Sequence, residues 1–217
     1  MNKFLLELED FYQRESQALD EKQKKIFKDL VERIIDLYLR QLLKSNHTMM
    51  ELVLALNLIK ENKEVEVEKE INNLIADLIT SYENKKEIIE IETGFVPPEY
   101  SADPITYRYA REISKIARYS RYADVFSLGC PPFHLLQIPD IFILPPEKRD
   151  ESKIRAIKTI LDKYYKAPPI TIEELKTAKI DYIYIIYVDK VTIKRLEFKE
   201  YLNLIKNLKE NILTGYI

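Results

Sequence analysis

The chain has 217 residues, 46% of them apolar, and 34 basic against 36 acidic side chains leave a net charge of −2. That length suits one domain or two small ones. The apolar share excludes wholesale disorder, and the charge balance excludes a generally basic nucleic-acid binder while leaving room for a local patch. Gly94, Gly129 and Gly215 are the only glycines, and none lies near another. Phosphate loops of the Walker or dinucleotide-fingerprint type need clustered glycines so that backbone N–H groups can approach phosphate, so both are excluded. Cys130 is the single cysteine, which excludes an intrachain disulfide and cysteine zinc sites. The opening MNKFLLELEDFY turns acidic too soon for a signal peptide. The longest apolar run, Tyr182 to Val188, is too short to span a bilayer. A cytoplasmic chain without a cofactor is expected. Its abundant Ile, Lys and Glu match heat-adapted composition.

Residues 1–94 read as an all-α bundle. A first helix covers Lys3 to Ala18, with Phe4, Leu5, Leu8, Phe11 and Tyr12 on one side. The next begins near Glu21 and includes KDLVERIIDLYLRQLLK, Lys28 to Lys44. Its apolar arc of Leu30, Val31, Ile34, Ile35, Leu37, Tyr38 and Leu42 is wider than a surface stripe needs, which marks it as the organising helix. Ser45-Asn46-His47 makes a turn. Thr48 with Glu51 forms a capping box for a helix to Glu61. A long helix is expected from Val67 to Ile91, with Ile71, Leu74, Ile75, Leu78, Ile79 and Tyr82 as its stripe and Gly94 as its left-handed stop.

Residues 95–104, FVPPEYSADP, read as a linker because three prolines stop any helix. Asp103-Pro104 is an N-cap followed by proline at N1, opening a helix from Ile105 to Tyr122. Residues 105–217 then read as a smaller α+β part. Short strands are expected at Ala123 to Leu128 and Asp140 to Leu144, and a helix at Glu147 to Lys166. Thr171 with Glu174 is a second capping box. Ile180 to Val188 and Val191 to Phe198 form a β-hairpin, and a last helix runs from Lys199 to Leu213, ending at Gly215.

Five cations mark a candidate nucleic-acid surface. Arg108, Arg111, Lys115 and Arg118 share one face of the helix from Ile105, and Arg121 lies near its end, giving +4 over residues 105–122. Guanidinium groups in a row can meet phosphates, and Tyr107, Tyr119 and Tyr122 can stack on bases. The competing reading is an ordinary charged face pairing with acidic helices. Cys130 and His134 flank Pro-Pro-Phe and could supply two metal positions or a nucleophile and base, against a buried thiol in a proline-fixed loop. Glu32 with Asp36, and Glu66 with Glu70, are paired carboxylates that read as solvated surface. Tyr182, Tyr184 and Tyr187 suit half-buried sheet or a stacking platform.

Two families share features with the chain. Arg40 and His47, with six residues between them, fit the loose R-x4–6-H spacing of HEPN ribonucleases, in which imidazole would serve as acid/base and arginine would stabilise the phosphorane. Asp10-Phe11-Tyr12, the helix DLVERIIDLYLRQLLK, and Arg40 with Lys44 resemble the helical domain of archaeal GINS replication subunits over residues 1–90. That resemblance implies a non-enzymatic scaffold with no catalytic residues and no metal. It also implies an oligomer in which Phe11, Tyr12, Ile34, Tyr38 and Leu42 contribute to interfaces, with a helicase and a RecJ-like protein as partners. The alternatives are a metal-independent ribonuclease using Arg40 and His47, and a nucleic-acid-binding module using the basic helix.

Overall fold

The computed structural model describes residues 2–43 and 47–213, with side chains through residue 210. Lys44, the Ser45-Asn46 part of the expected turn, and Gly215 lie outside the described residues. Among the described residues are seven helices and one six-stranded sheet. The strands are β1 (Glu64–Ile71), β2 (Leu74–Tyr82), β3 (Lys85–Ile91), β4 (Val125–Cys130), β5 (Tyr182–Tyr187) and β6 (Thr192–Glu197), and they lie side by side in that order. β1, β2 and β3 form an antiparallel meander. β4 and β5 add in parallel, and β6 closes the far edge as an antiparallel hairpin with β5.

This overturns the expected helical bundle followed by a small α+β part. The sheet is central and draws strands from both sides of residues 95–104. No helix runs from Val67 to Ile91. That span is three strands joined by two tight turns. Asn72-Asn73 and Glu83-Asn84 occupy the turns, with φ of 46° and 65°, and 50° and 60°. Positive φ at both central residues is the type I′ geometry that suits the twist of a hairpin, and asparagine tolerates it. The apolar spacing of three and four that imitates a helix stripe is divided between two strands. Because helices cover both faces of the sheet, these strands need not alternate apolar with polar.

The helices are α1 (Lys3–Glu15), α2 (Glu21–Leu39), α3 (Thr48–Lys60), α4 (Pro104–Tyr119), α5 (Glu151–Leu161), α6 (Ile172–Thr177) and α7 (Phe198–Leu213). Two apolar clusters lie on opposite faces of the sheet. One joins α1, α2 and α3 to Val67, Leu78, Ile89, Tyr184 and Ile186. The other joins α4 to α7 with Ile88, Phe126, Leu128, Ile183 and Ile185. The organising helix is α3, not α2. α3 is buried on nearly every side, as an all-round apolar helix must be. α2 buries Phe27, Leu30, Val31 and Ile34 and leaves Leu39 and the following Leu42 exposed.

Several local expectations are met. α2 starts at Glu21, Asp103 caps α4 ahead of Pro104, and Thr171 boxes with Glu174; a further capping box, Asp20 with Gln23, opens α2. Residues 140–143 form a 3-10 turn rather than a strand, and the helix expected from Glu147 to Lys166 is the shorter α5. Gly94 adopts φ of 79°, yet it follows a strand rather than a helix.

One irregularity positions the site. Along β1, Val65 and Val67 face α3 whereas Ile71 packs on the opposite face. Along β2, Ala76 and Ile79 share a face and Leu78 takes the other. A strand repeats every two residues, so the phase slips in both. The slip falls where Glu68 faces Asp77. Their neighbours Val67 with Leu78 and Lys69 with Ala76 are paired, while Glu68 itself has φ of 47°. Arg33 of α2 holds the distorted segment, its Nε donating to the Val67 carbonyl at 2.9 Å and its Nη2 to that of Glu68 at 2.7 Å.

Candidate metal centre

The sheet also opens between β2 and β3 at this level. Their ladder ends at Leu78 with Ile89, and side chains replace the next backbone bonds. The Asp77 N–H donates to Glu90 Oε1 at 3.1 Å, and the Ile91 N–H donates to Asp77 Oδ2 at 2.6 Å. Two carboxylates are thereby turned into the gap and fixed by backbone.

Lys115 of α4 enters from the other side. Its Nζ lies 3.1 Å from Asp77 Oδ2, 3.1 Å from Glu90 Oε2 and 3.1 Å from Glu92 Oε1, and donates to the Ile91 carbonyl at 2.8 Å. Arg111, one turn earlier, clasps Glu92 through Nε, at 3.0 Å from Oε1 and 2.9 Å from Oε2. From the α3 side His47 Nε2 stands 2.9 Å from Glu51 Oε1 and 3.3 Å from Asp77 Oδ1. Glu51 is fully buried, and its Oε2 has no hydrogen-bond donor among the described residues. The carboxyl of Glu68 neighbours that of Glu51 and can donate to it only while it holds a proton. Five carboxyls thus meet three basic groups: Glu68, Asp77, Glu90, His47, Arg111 and Lys115 line a cleft of about 590 Å³, and Glu51 and Glu92 are buried beside them.

The excess of negative charge is balanced by protons. Burial opposes a charge on His47, but hydrogen bonds to Asp77 and Glu51 outweigh it and push its pKa up to about 10. Burial, then the charge of Asp77, pushes Glu90 up to about 8. Burial, with Glu51 and Asp77 nearby, pushes Glu68 up to about 7. Burial also raises Glu51. Burial works against the charge of Asp77 too, yet Lys115 and His47 hold its carboxyl well below the usual range. Burial works against Lys115 likewise, and the carboxylates keep it charged.

One nitrogen of His47 and one oxygen each from Glu51 and Asp77 lie within 4.8 Å of one another, the only such three-group set found among the described residues. An ion with ~2.1 Å bonds holds adjacent octahedral ligands ~3.0 Å apart, close to the 2.9 and 3.3 Å separations from His47 Nε2. A mixed imidazole and carboxylate set suits first-row divalent ions such as Mn²⁺, Fe²⁺ or Zn²⁺, with Mg²⁺ favoured less by the nitrogen.

The residues singled out by sequence divide sharply. Arg111 and Lys115 of the basic helix are in the site, bound to carboxylates of the sheet. Arg118 donates to the Pro168 carbonyl and lies over Tyr165. Arg121 pairs with Glu174, and Arg108 is half-buried elsewhere. His47 is in the site, but Arg40 is not brought to it. Arg40 pairs with Asp36 at the exposed end of α2. Glu51 does not cap α3, because the N-cap is His47 itself. Cys130 is buried, with its thiol pKa raised by burial, and His134 pairs with Glu112 at 3.1 Å, so the two do not form a site of their own. Glu32 pairs with Lys28, and Glu66 with Lys69, on the surface. Tyr184 is core, its hydroxyl donating to Glu87. Phe11 and Ile34 are buried within the chain, Tyr12 and Tyr38 are half-buried, and Leu42 is exposed.

Asp77, Glu90 and Glu92 went unread. Asp77 and Glu90 fall within the expected helix from Val67 to Ile91, outside its apolar stripe, and Glu92 falls just past its end. The available signal was an aspartate inside the apolar run LIADLI and the E-I-E that ends a run of isoleucines. Comparison with known proteins finds no family model, no curated protein and no solved structure that matches the chain. No described helix is long and apolar enough to cross a membrane.

Proposed function

We propose that the chain hydrolyses phosphodiester bonds with a divalent cation held by His47, Glu51 and Asp77. The observation that carries this reading is the convergence of His47 and Asp77, backed by the fully buried Glu51, with a buried ammonium, Lys115, and a guanidinium, Arg111, along one cleft. A cation held there would polarise a phosphoryl oxygen and acidify water. Lys115 and Arg111 are fixed in place by carboxylates, so their charges would act through space, already oriented, on the charge of a pentacoordinate phosphorus. Glu90 becomes a carboxylate able to take a proton as pH rises through about 8, so the rate should climb with pH up to that point. Water forms the new P–O bond, its proton passes to Glu90, the ester P–O bond breaks, and the leaving oxygen takes a proton from solvent.

The test is hydrolysis of bis(p-nitrophenyl) phosphate with Mn²⁺. The wild type should turn over and lose activity in EDTA, and Asp77→Asn and Glu90→Gln should each lose at least a hundred-fold. Equal rates in wild type and both variants would overturn the proposal. A scaffold role in a nucleic-acid-processing complex is a second reading. It is favoured by the exposed Ile105, Phe133, Leu135 and Leu204, which border two neighbouring hollows, and an oligomer or pulled-down partner lost in Phe133→Ser would support it.

A further inference from the structure

We infer that the substrate is a polynucleotide strand with unstacked bases, single-stranded or frayed, rather than an intact duplex; this rests on the phosphodiesterase reading. Two independent features of the cleft point there. The reacting groups are recessed. Glu90 and Glu92 are almost fully buried, and Asp77 and Lys115 show only 12% and 15% of their side chains to solvent. A phosphate must descend between the walls to reach them. In a duplex each phosphate is flanked by its own helix and the paired strand, which the rim would meet first. A strand free of its partner can thread down.

The rim is made for bases. Phe95, Leu42 and Ile75 border this one cleft and are 52%, 46% and 43% exposed. Large apolar side chains usually stand singly on a surface, and here they converge around a charged floor. Tyr119 joins them and is held in place by its hydroxyl, which donates to the Ile75 carbonyl at 2.8 Å. Aromatic faces stack on any unpaired base whatever its sequence, and the neighbouring Leu and Ile add apolar surface for the base faces to pack on. Charge below and apolar faces above match a nucleotide strand, with phosphate inward and bases at the rim.

The experiment compares cleavage of a labelled single-stranded 30-mer, the same sequence as a blunt duplex, and bis(p-nitrophenyl) phosphate, all with Mn²⁺. The single strand should be cut at least ten-fold faster than the duplex. Phe95→Ala should raise KM for the single strand five-fold or more with little change in kcat, and Phe95→Tyr should restore it. Hydrolysis of the small diester with equal cutting of strand and duplex, or with an unchanged KM in Phe95→Ala, would overturn this inference and leave the phosphodiesterase reading standing. Failure to hydrolyse any of the three would overturn both.

Discussion

Replacing Lys115 with methionine keeps the stem of the side chain and removes its charge. In the wild type the ammonium stands 3.1 Å from an oxygen of each of Asp77, Glu90 and Glu92. At an effective dielectric of ~20 each fully ionised pair attracts by ~5 kcal/mol, but burying the ammonium offsets much of the total. Removing one partner from such a buried cluster costs ~3–5 kcal/mol, because the remaining charges lose their counter-ion. For a chain of this size that lowers Tm by ~6–20 °C. The penalty must depend on pH. Without Lys115 the carboxyls take protons more readily, so the loss should be small at pH 5 and grow as pH rises past about 8, where Glu90 ionises even in the wild type. Urea unfolding at pH 5 and pH 8.5, read by circular dichroism, measures it, and Glu90→Gln in the same chain should return part of the stability. A loss under 1 kcal/mol, or one equal at both pH values, would refute the reasoning.

Other outcomes follow from the same geometry. The raised pKa of His47 adds stability that is complete below about 6.5 and disappears as pH rises through about 10, and the raised pKa values of Glu68 and Glu90 withdraw stability from about 4.5 up through about 7 and 8. All three have the same sign, so the metal-free protein should lose Tm steadily between pH 5 and pH 10. Saturating Mn²⁺ should flatten that slope, since bound metal takes the place of protons; a Tm that rises with pH in EDTA would contradict this. Gly94→Ala places a Cβ at φ of 79° and 2.6 Å from His134 Nδ1. It should cost ~1–3 kcal/mol, seen as a lower urea midpoint, and a neutral effect would show that residues 93–95 shift freely.

Legibility in the sequence followed the range of the interactions. Capping at Asp103-Pro104 and Thr171-Glu174, the β5–β6 hairpin and the start of α7 depend on neighbours within a few residues, and they were readable. The three strands from Glu64 to Ile91 were not. Their apolar residues serve two faces, and the slip at Glu68 and Asp77 breaks the period of two that would have revealed them. A slip of phase hides the alternation that would mark either strand. The basic helix was noticed for its cations, but what Lys115 and Arg111 do depends on Asp77, Glu90 and Glu92, which lie 19 to 38 positions away in the chain. His47 was singled out for its spacing from Arg40, whereas its partners are Glu51 and Asp77. The site exists only once α3, the opened meander and α4 are stacked.

The central claim is that His47, Glu51 and Asp77 hold a divalent cation. Isothermal titration of Mn²⁺ into the metal-free protein at pH 7, in two buffers of different ionisation enthalpy, tests it most directly. One saturable site is predicted, releasing at least one proton per ion, tightening as pH rises, and lost in Asp77→Asn. No heat of binding at millimolar Mn²⁺, or the same binding in Asp77→Asn, would contradict the account.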